Sequence, residues 1–504
     1  MKYVKQAIVW LMVLGATVLL ARPGKQRQSL PPGRVQVRYW EKWTGREAEQ
    51  MKQIVDEFNA TVGAEKGIWV SYISMSSVDQ KTLISTAAGV PPDIAGLWDN
   101  QAMQFAAMDA LEPLDALAEE YRRQHPDLGP DFLTRDYFKH VYYDGCTYEG
   151  VLYALPSTPS AVALHYNKKI FQDKAAELRA AGLDPNRPPR SIQELDRYAE
   201  VLDTWEGEPG KSRLLSAGYL PQEPGWWITL TPYWFGADLY DPSTRRLTFT
   251  DPKVIQAFEW IAGYSKRLGV ETMRQFRASY PQGFDSPQSP FFTGTVVMEQ
   301  EGPWKANYIE KLNPRMNNWR NLPPEQLKKL TRQQRRENCM WGAAPFPSTQ
   351  PIGPDTTDMI AYCGMDIVCI PRTSRHKREA FEFLAFLNRQ EVMERLVSMH
   401  CKNSPLRNMS PQYIENHPNP YIEVFETMAS SPNARGLPKV PIWPEIAAEL
   451  SVVAEKVYLL QATPQQALEE AQKRAQLQVD RFFQRQSLRR PSQQRNGQKA
   501  GSSH

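Results

Sequence analysis

Tryptophan recurs beside carboxylates, amines and amides at what read as the ends of chain segments. Trp40 and Trp43 bracket Glu41 and Lys42. Trp98 is followed by Asp99, Glu223 precedes Trp226-Trp227, Trp304 closes a Gly-Pro-Trp turn, and Trp443 opens a later helical pattern. The chemistry open to this combination is recognition of polyhydroxylated rings. A sugar has an apolar C–H face that a flat aromatic covers, and a hydroxyl edge that carboxylates, amides or cations hydrogen-bond. Any one of these rings reads equally well as a partly buried core residue. Trp98 and Asp99 read equally well as a core Trp and a helix N-cap. The repeated pairing is more specific than each member.

Catalytic and metal-binding patterns are missing. The chain has no HExxH and no GxSxG, and its seven histidines are scattered without a pair at metal-ligand spacing. Gly207 to Ser212 ends like a phosphate loop, but Trp205 stands where that loop needs its first glycine, so the segment reads as a turn. Nothing in the sequence pairs two carboxylates as glycoside hydrolysis requires. No cofactor and no metal are implied. A net charge of +4 over 504 residues, part of it in the last twenty, does not suggest a nucleic-acid binder. The cysteines Cys146, Cys339, Cys363, Cys369 and Cys401 show no CxxC spacing, which argues against a zinc site or redox dithiol. In an exported chain one or two disulfides are open among them, and the sequence does not choose.

The elements that must position these residues alternate between strand and helix. Val35, Val37 and Tyr39 alternate along a strand at 34–40. Thr44-Gly45-Arg46-Glu47 reads as a capping box for a helix with Met51, Ile54, Val55 and Phe58 inward. A strand at 68–73 follows, then a second capping box, Ser77 to Gln80. Its helix places Leu83, Ile84, Ala87 and Ala88 on one face. Gly89 suits the C′ position, and Pro91-Pro92 forbid continuation. Ile94 to Leu97 is a short apolar run, as a strand covered on both faces would be, and it ends in Trp98 and Asp99. A β-α-β-α-β order predicts a parallel sheet, and ligands of such sheets sit beyond the carboxyl ends of strands.

Further along, strands are expected up to Pro156, at 160–166, 341–346 and 366–370, with a turn at Asn167 to Lys169. Helices are expected from Ser191, Asp251-Pro252 and Ser374, the last burying Ala380, Phe383, Leu384 and Leu387. Two more are expected over 444–460 and 463–483. Residues 320–338 read as a charged, solvated excursion, and 486–504 as a disordered basic tail. Lys2 and Lys5 precede an apolar run at 7–21, the length of a signal-peptide core. The cleavage site is poor, so residues 1–21 read as a signal peptide or an uncleaved anchor, with a linker at 22–33.

Several segments, in order, resemble the extracellular solute-binding proteins of ATP-driven sugar importers, the maltose-binding-protein-like group. They are YWEKWTG at 39–45, AAGVPPDIAGLWD at 87–99, YEGVLYALP with ALHYNKKIF within 148–171, FFTGTVVMEQEGPW at 291–304, and AFEFLAFLNRQEVMERL at 380–396. The resemblance covers about 34–485. It implies an α/β, two-lobed periplasmic-binding-protein fold with parallel-rich sheets and hinge crossovers. Lobe 1 would be 34–158 with 366–420, and lobe 2 would be 159–365 with 421–485. It implies a ligand site of Glu41, Lys42, Trp43, Trp98 and Asp99 on the first lobe, and of Glu223, Trp226, Trp304 and Trp443 on the second. Gly364 and Arg407 are carried over by position. The implied partners are a sugar and the membrane permease subunits of an ABC-type importer. The chain would act as a monomer, exported to the periplasm or cell envelope and either free or tethered. Ser160 and its neighbours stand where the family often has an acid, and the 320–338 segment, the tail, Cys363 and Cys369 depart from its usual pattern. The alternatives are a periplasmic glycoside hydrolase or lyase using the same aromatic cleft, and a sugar-sensing binding protein.

Overall fold

The computed structural model describes residues 30–500 apart from 282, 284, 328 and 354. The apolar leader and most of the linker lie outside the described residues. Among those residues no helix is long and apolar enough to cross a membrane. The chain begins β1 (Val35–Glu41), α1 (Gly45–Ala60), β2 (Ile68–Ser74), α2 (Val78–Ala87), β3 (Ile94–Trp98), α3 (Asp99–Ala107). β1 pairs in parallel with both β2 and β3, as the alternating pattern predicts. Met51, Ile54, Val55 and Phe58 of α1 are buried beneath this sheet. Gly89 follows α2 at φ +73°, the left-handed position expected of it.

The next strands divide between two sheets. β4 (Ala154–Ala161) stays with the first, and β5 (Ala163–Asn167) opens the second, which gains α4 (Ile192–Leu202), β6 (Leu214–Tyr219), α5 (Pro252–Leu268), β7 (Val296–Glu301) and β8 (Trp341–Pro345). The order in the second sheet is β8-β5-β7-β6, ending on the short strand Thr204–Trp205. β9 (Ala361–Cys369) then returns to the first sheet and lies antiparallel to both β3 and β4. α6 (Lys377–Leu387), α7 (Gln390–Met399) and α8 (Ile422–Ser430) cover that sheet. After the edge strand Ala434–Arg435 the chain passes to α9 (Trp443–Tyr458) and α10 (Pro464–Ala500) in the second core. The backbone therefore crosses between sheets three times. At the first crossing Val162 N donates to Tyr362 O at 2.9 Å, binding two crossing segments together.

Sheet membership moves the expected boundaries. Pro159 to Ala161, expected in the second lobe, remain paired to β9, and β9 joins the first sheet from Ala361 rather than 366. Tyr421 and α8 pack in the first core, not the second. β4 runs through Pro156 and Pro159 because it pairs on one side only, where a missing N–H is tolerated.

Local chemistry also differs at several caps. Thr44 and Ser77 occupy N-cap positions without a side-chain cap bond, Ser77 with φ +53°. Ser191 does accept from Glu194 N. Ser374 is not the cap of α6; its hydroxyl donates to Asp93 Oδ1 at 2.8 Å, and His376 takes the cap position. Asn167 caps a helix, Lys168–Asp173, rather than forming a free turn. The inward face of α2 is Val78, Thr82 and Thr86, leaving Ile84 69% exposed. The charged excursion is docked rather than simply solvated: Arg332 is buried, with its guanidinium 2.6 Å from Glu423 and its backbone N–H donating to Glu415. α10 continues as helix to Ala500, across most of the segment read as a disordered tail.

Candidate functional site

β3 delivers Trp98 to the carboxyl end of a central strand of its sheet. The four residues before it are buried and Trp98 is 43% exposed, so the ring leaves the core where the strand ends. Asp99 starts α3 and turns back toward β9. Its Oδ1 accepts from Asn100 N at 2.8 Å and its Oδ2 from Met365 N at 3.2 Å. β1 ends beside it and supplies Lys42 and Trp43. From the second lobe, the turn before the 3-10 segment Ile228–Phe235 supplies Trp226 and Trp227. Gly225 makes that turn at φ +81°, with the Gln222 carbonyl 2.7 Å from where a Cβ would sit. β7 runs into Gly302-Pro303-Trp304.

These side chains meet around one cavity of about 540 Å3. Trp43, Trp98, Trp226, Trp227 and Trp304 line it, with Tyr308 and Tyr362. Trp226 and Trp227 stand edge to face at 5.5 Å and 72°, and Trp227 tilts toward Trp304 at 6.2 Å. Such arrangements place ring edges against ring faces and fix the aromatic walls.

The polar wall is a buried ion network. Asp366, on β9, has Oδ1 3.2 Å from Lys42 Nζ and Oδ2 2.7 Å from Lys402 Nζ. Thr158 on β4 donates its hydroxyl to the same Oδ2 at 2.7 Å. Burial alone would raise the Asp366 pKa, but Lys402 and Lys42 overcome it and hold the carboxyl at about 2. Burial opposes the charge on Lys42, yet Asp366 and Glu41 outweigh it and raise its pKa; Lys402 is lowered, chiefly by burial. The ammonium groups also lie over the rings. Lys42 is 4.9 Å from the Trp43 centroid and 5.3 Å from Trp98; Lys402 is 4.5 Å from Trp43 and 5.5 Å from Trp304. Burial pushes Asp99 up to about 7 and holds His400 down at about 3, so His400 is neutral beside Trp43. Among the described residues no cluster suited to a metal ion occurs.

Seven of the expected residues therefore line this cavity: Lys42, Trp43, Trp98, Asp99, Trp226, Trp304 and Gly364. Four do not. Glu41 is fully buried behind the wall, accepting from Tyr39 Oη at 2.5 Å and from Lys42 N at 2.7 Å. Glu223 is buried behind Trp226, where Tyr280 Oη donates to it at 3.0 Å. Arg407 pairs with Asp136 at 3.1 Å, half exposed and outside the cavity. Trp443 is buried at the start of α9 and lines a neighbouring cavity of about 350 Å3, which shares Asp99 and Met365 with the first. Trp227, read in the sequence only as part of the Trp226-Trp227 pair, joins the wall, and Tyr362, Asp366, His400 and Lys402 line it without having been singled out. Asp366 left a signal, a carboxylate inside the otherwise apolar run Met365 to Ile370. Lys402 left none.

Comparison with known proteins gives one consistent result. The sequence profile of bacterial extracellular solute-binding proteins matches residues 53–405. A putative binding protein of Brucella abortus is 23% identical over 409 residues, 79% of this chain and 82% of its own. The maltotriose-binding protein of Pyrococcus abyssi is 22% identical over 272 residues, 54% of this chain and 50% of its own. Among solved structures, CpMnBP1 with mannotriose bound has a TM-score of 0.65 at 22% identity, covering 87% of this chain and 99% of that one. The sugar-binding protein MalE of Xanthomonas citri has a TM-score of 0.64 at 20% identity, covering 90% and 99%. The structural likeness establishes the shared two-lobed fold, and these relatives are binding proteins rather than enzymes. With a family match across most of its length and a cavity walled by both lobes, this chain belongs to the bacterial extracellular solute-binding proteins.

Proposed function

We propose that this protein captures an oligosaccharide in the cavity between its lobes and delivers it to the membrane subunits of an ABC-type importer. The observation that carries the reading is the wall itself: five tryptophan rings from both lobes beside a ring of carboxylates in about 540 Å3. Flat rings cover sugar faces, and the carboxylates accept hydrogen bonds from hydroxyls. The sugars named for the relatives, maltotriose and mannotriose, agree with that chemistry. No bond need be made or broken. Closure about the three crossing segments would bring Trp226, Trp227 and Trp304 toward Trp98, and a sugar that touches both walls favours the closed form. Micromolar affinity corresponds to about −8 kcal/mol, within reach of two or three stacked rings and a hydrogen-bonded rim.

Calorimetric titration of the purified protein against a panel of oligosaccharides tests this, with intrinsic tryptophan fluorescence as a second readout. Binding of at least one saccharide with a fluorescence change is expected. Binding of some other solute class and of no sugar would sink the reading. Transport is tested separately, by growth on the bound sugar with and without the protein.

A further inference from the structure

The charged groups that line the cavity are unequal in availability. Glu47, Asp99, Asp285 and Asp366 face Lys42 and Lys402. An ammonium group has three N–H donors. Those of Lys42 meet Leu97 O at 3.0 Å, Asp366 Oδ1 at 3.2 Å and Glu41 Oε1 at 3.3 Å. Those of Lys402 meet Asp366 Oδ2 at 2.7 Å, Thr158 Oγ1 at 3.2 Å and Thr158 O at 3.3 Å. Both cations are thus saturated by the protein, and their faces are laid against Trp43, Trp98 and Trp304. What remains toward the cavity is acceptors. The indole N–H groups of Trp43 and Trp304 are buried with no hydrogen-bond partner among the described residues. Behind Trp304 two further buried carboxylates, Glu299 and Glu301, share Lys305, which lies 2.6 Å from Glu299. Arg46 and Lys311 line an adjoining pocket, together with Glu47 and Asp285.

We infer that this cavity selects saccharides without anionic groups, taking neutral or amine-bearing sugars and rejecting uronates and phosphorylated sugars. The inference rests on the sugar-binding reading and narrows it. An anionic sugar entering here loses its hydration, finds no ammonium donor unspent, and faces carboxylates across a low-dielectric space. Mismatch of that kind excludes a partner more strongly than a missing contact does. A protonated amine meets the opposite situation: it gains carboxylate acceptors and aromatic faces. In this arrangement Lys42, Asp366 and Lys402 are positioning residues. They hold three rings in place and remove their own charge from the recognition surface.

The test compares matched ligands on the full chain by calorimetry. Maltotriose and mannotriose are each titrated beside their 6-carboxy (uronate) and 6-amino-6-deoxy derivatives. The neutral sugar that binds should lose at least a hundredfold in affinity as its uronate and less than tenfold as its amine. Equal binding of uronate and neutral sugar would overturn the inference and leave the sugar-binding reading intact. Equal loss for amine and uronate would assign the discrimination to size and overturn it too. Failure of every saccharide, neutral, aminated or acidic, would remove the sugar-binding reading itself and this inference with it. Asp366→Asn gives a second arm, because it frees donors on both lysines: uronate affinity relative to neutral sugar should rise at least tenfold. If that variant does not fold by circular dichroism, Asp99→Asn, which removes one facing carboxylate, should reduce the uronate penalty. An unchanged ratio in a folded variant counts against the inference.

Discussion

Asp99 Oδ2 accepts from the Met365 backbone N–H at 3.2 Å, which ties the end of β3 to the strand that returns from the second sheet. The bond offsets only part of the cost of burial, and the carboxyl titrates near 7 instead of in the usual acid range. The unfolded chain releases this proton near pH 4, whereas the folded chain keeps it to about 7. Stability from this group therefore falls as pH rises from about 4 to 7 and is level above that. Melting temperature followed by circular dichroism should show a decline over that window that flattens in Asp99→Asn. Sugar hydroxyls donate best to an ionised acceptor, so affinity should rise as pH passes 7.

Asp366 has the opposite sign. Its folded pKa of about 2 lies below the unfolded one, so its contribution is present above about pH 4 and disappears as pH falls toward 2. Replacing it with Ala leaves Lys42 and Lys402 buried without their shared anion, a change that costs about 3–5 kcal/mol. Urea unfolding should register that loss. A midpoint within experimental scatter of the parent would show that the lysines rearrange to water.

Trp98→Ala and Trp304→Ala each remove a cavity wall, from opposite lobes. Each should weaken saccharide binding by more than tenfold, about 1.4 kcal/mol or more. Arg407→Ala, at an ion pair with Asp136 outside the cavity, should leave affinity within twofold. Fluorescence titration of the three variants separates the wall from the bystander.

Gly96 has no side chain because the Glu41 carboxylate fills the space a Cβ would occupy. Gly96→Ala forces that carboxylate off Tyr39 Oη and Lys42 N. The expected result is destabilisation of about 1–3 kcal/mol, typical of overpacking, together with weaker ligand binding as Lys42 loses an acceptor. A variant with parent stability and weakened binding would place the strain on the cavity alone.

The alternating pattern from Val35 to Asp99 was legible because each element carries its own period, and the apolar run before Trp98 has no helical alternative of that length. Trp98 and Asp99 therefore mark a strand end in the sequence itself. Asp366 and Lys402 were illegible as a pair. They stand only 36 residues apart, but their meeting depends on where α7 packs against the sheet that holds β9, which no local period encodes. Arg407 and Trp443 lie off this cavity for a related reason: a position carried over from resemblance fixes a place along the chain but not the direction of a side chain. The caps at Thr44 and Ser77 failed because a hydroxyl at the right place need not turn toward the helix.

All five thiols are buried and unpaired with one another. Burial raises the Cys339 thiol to about 11 and those of Cys363, Cys369 and Cys401 to about 12, and it pushes Cys146 well above its ordinary value. At neutral pH a thiol of pKa 12 is ionised in about one molecule in 100,000, and the thiolate is the nucleophile that attacks disulfides and reacts with oxidants. The folded protein can thus carry five cysteines through an oxidising envelope without cross-linking. The same cysteines turn into a hazard, and a sensitive label, for any molecule that has come unfolded.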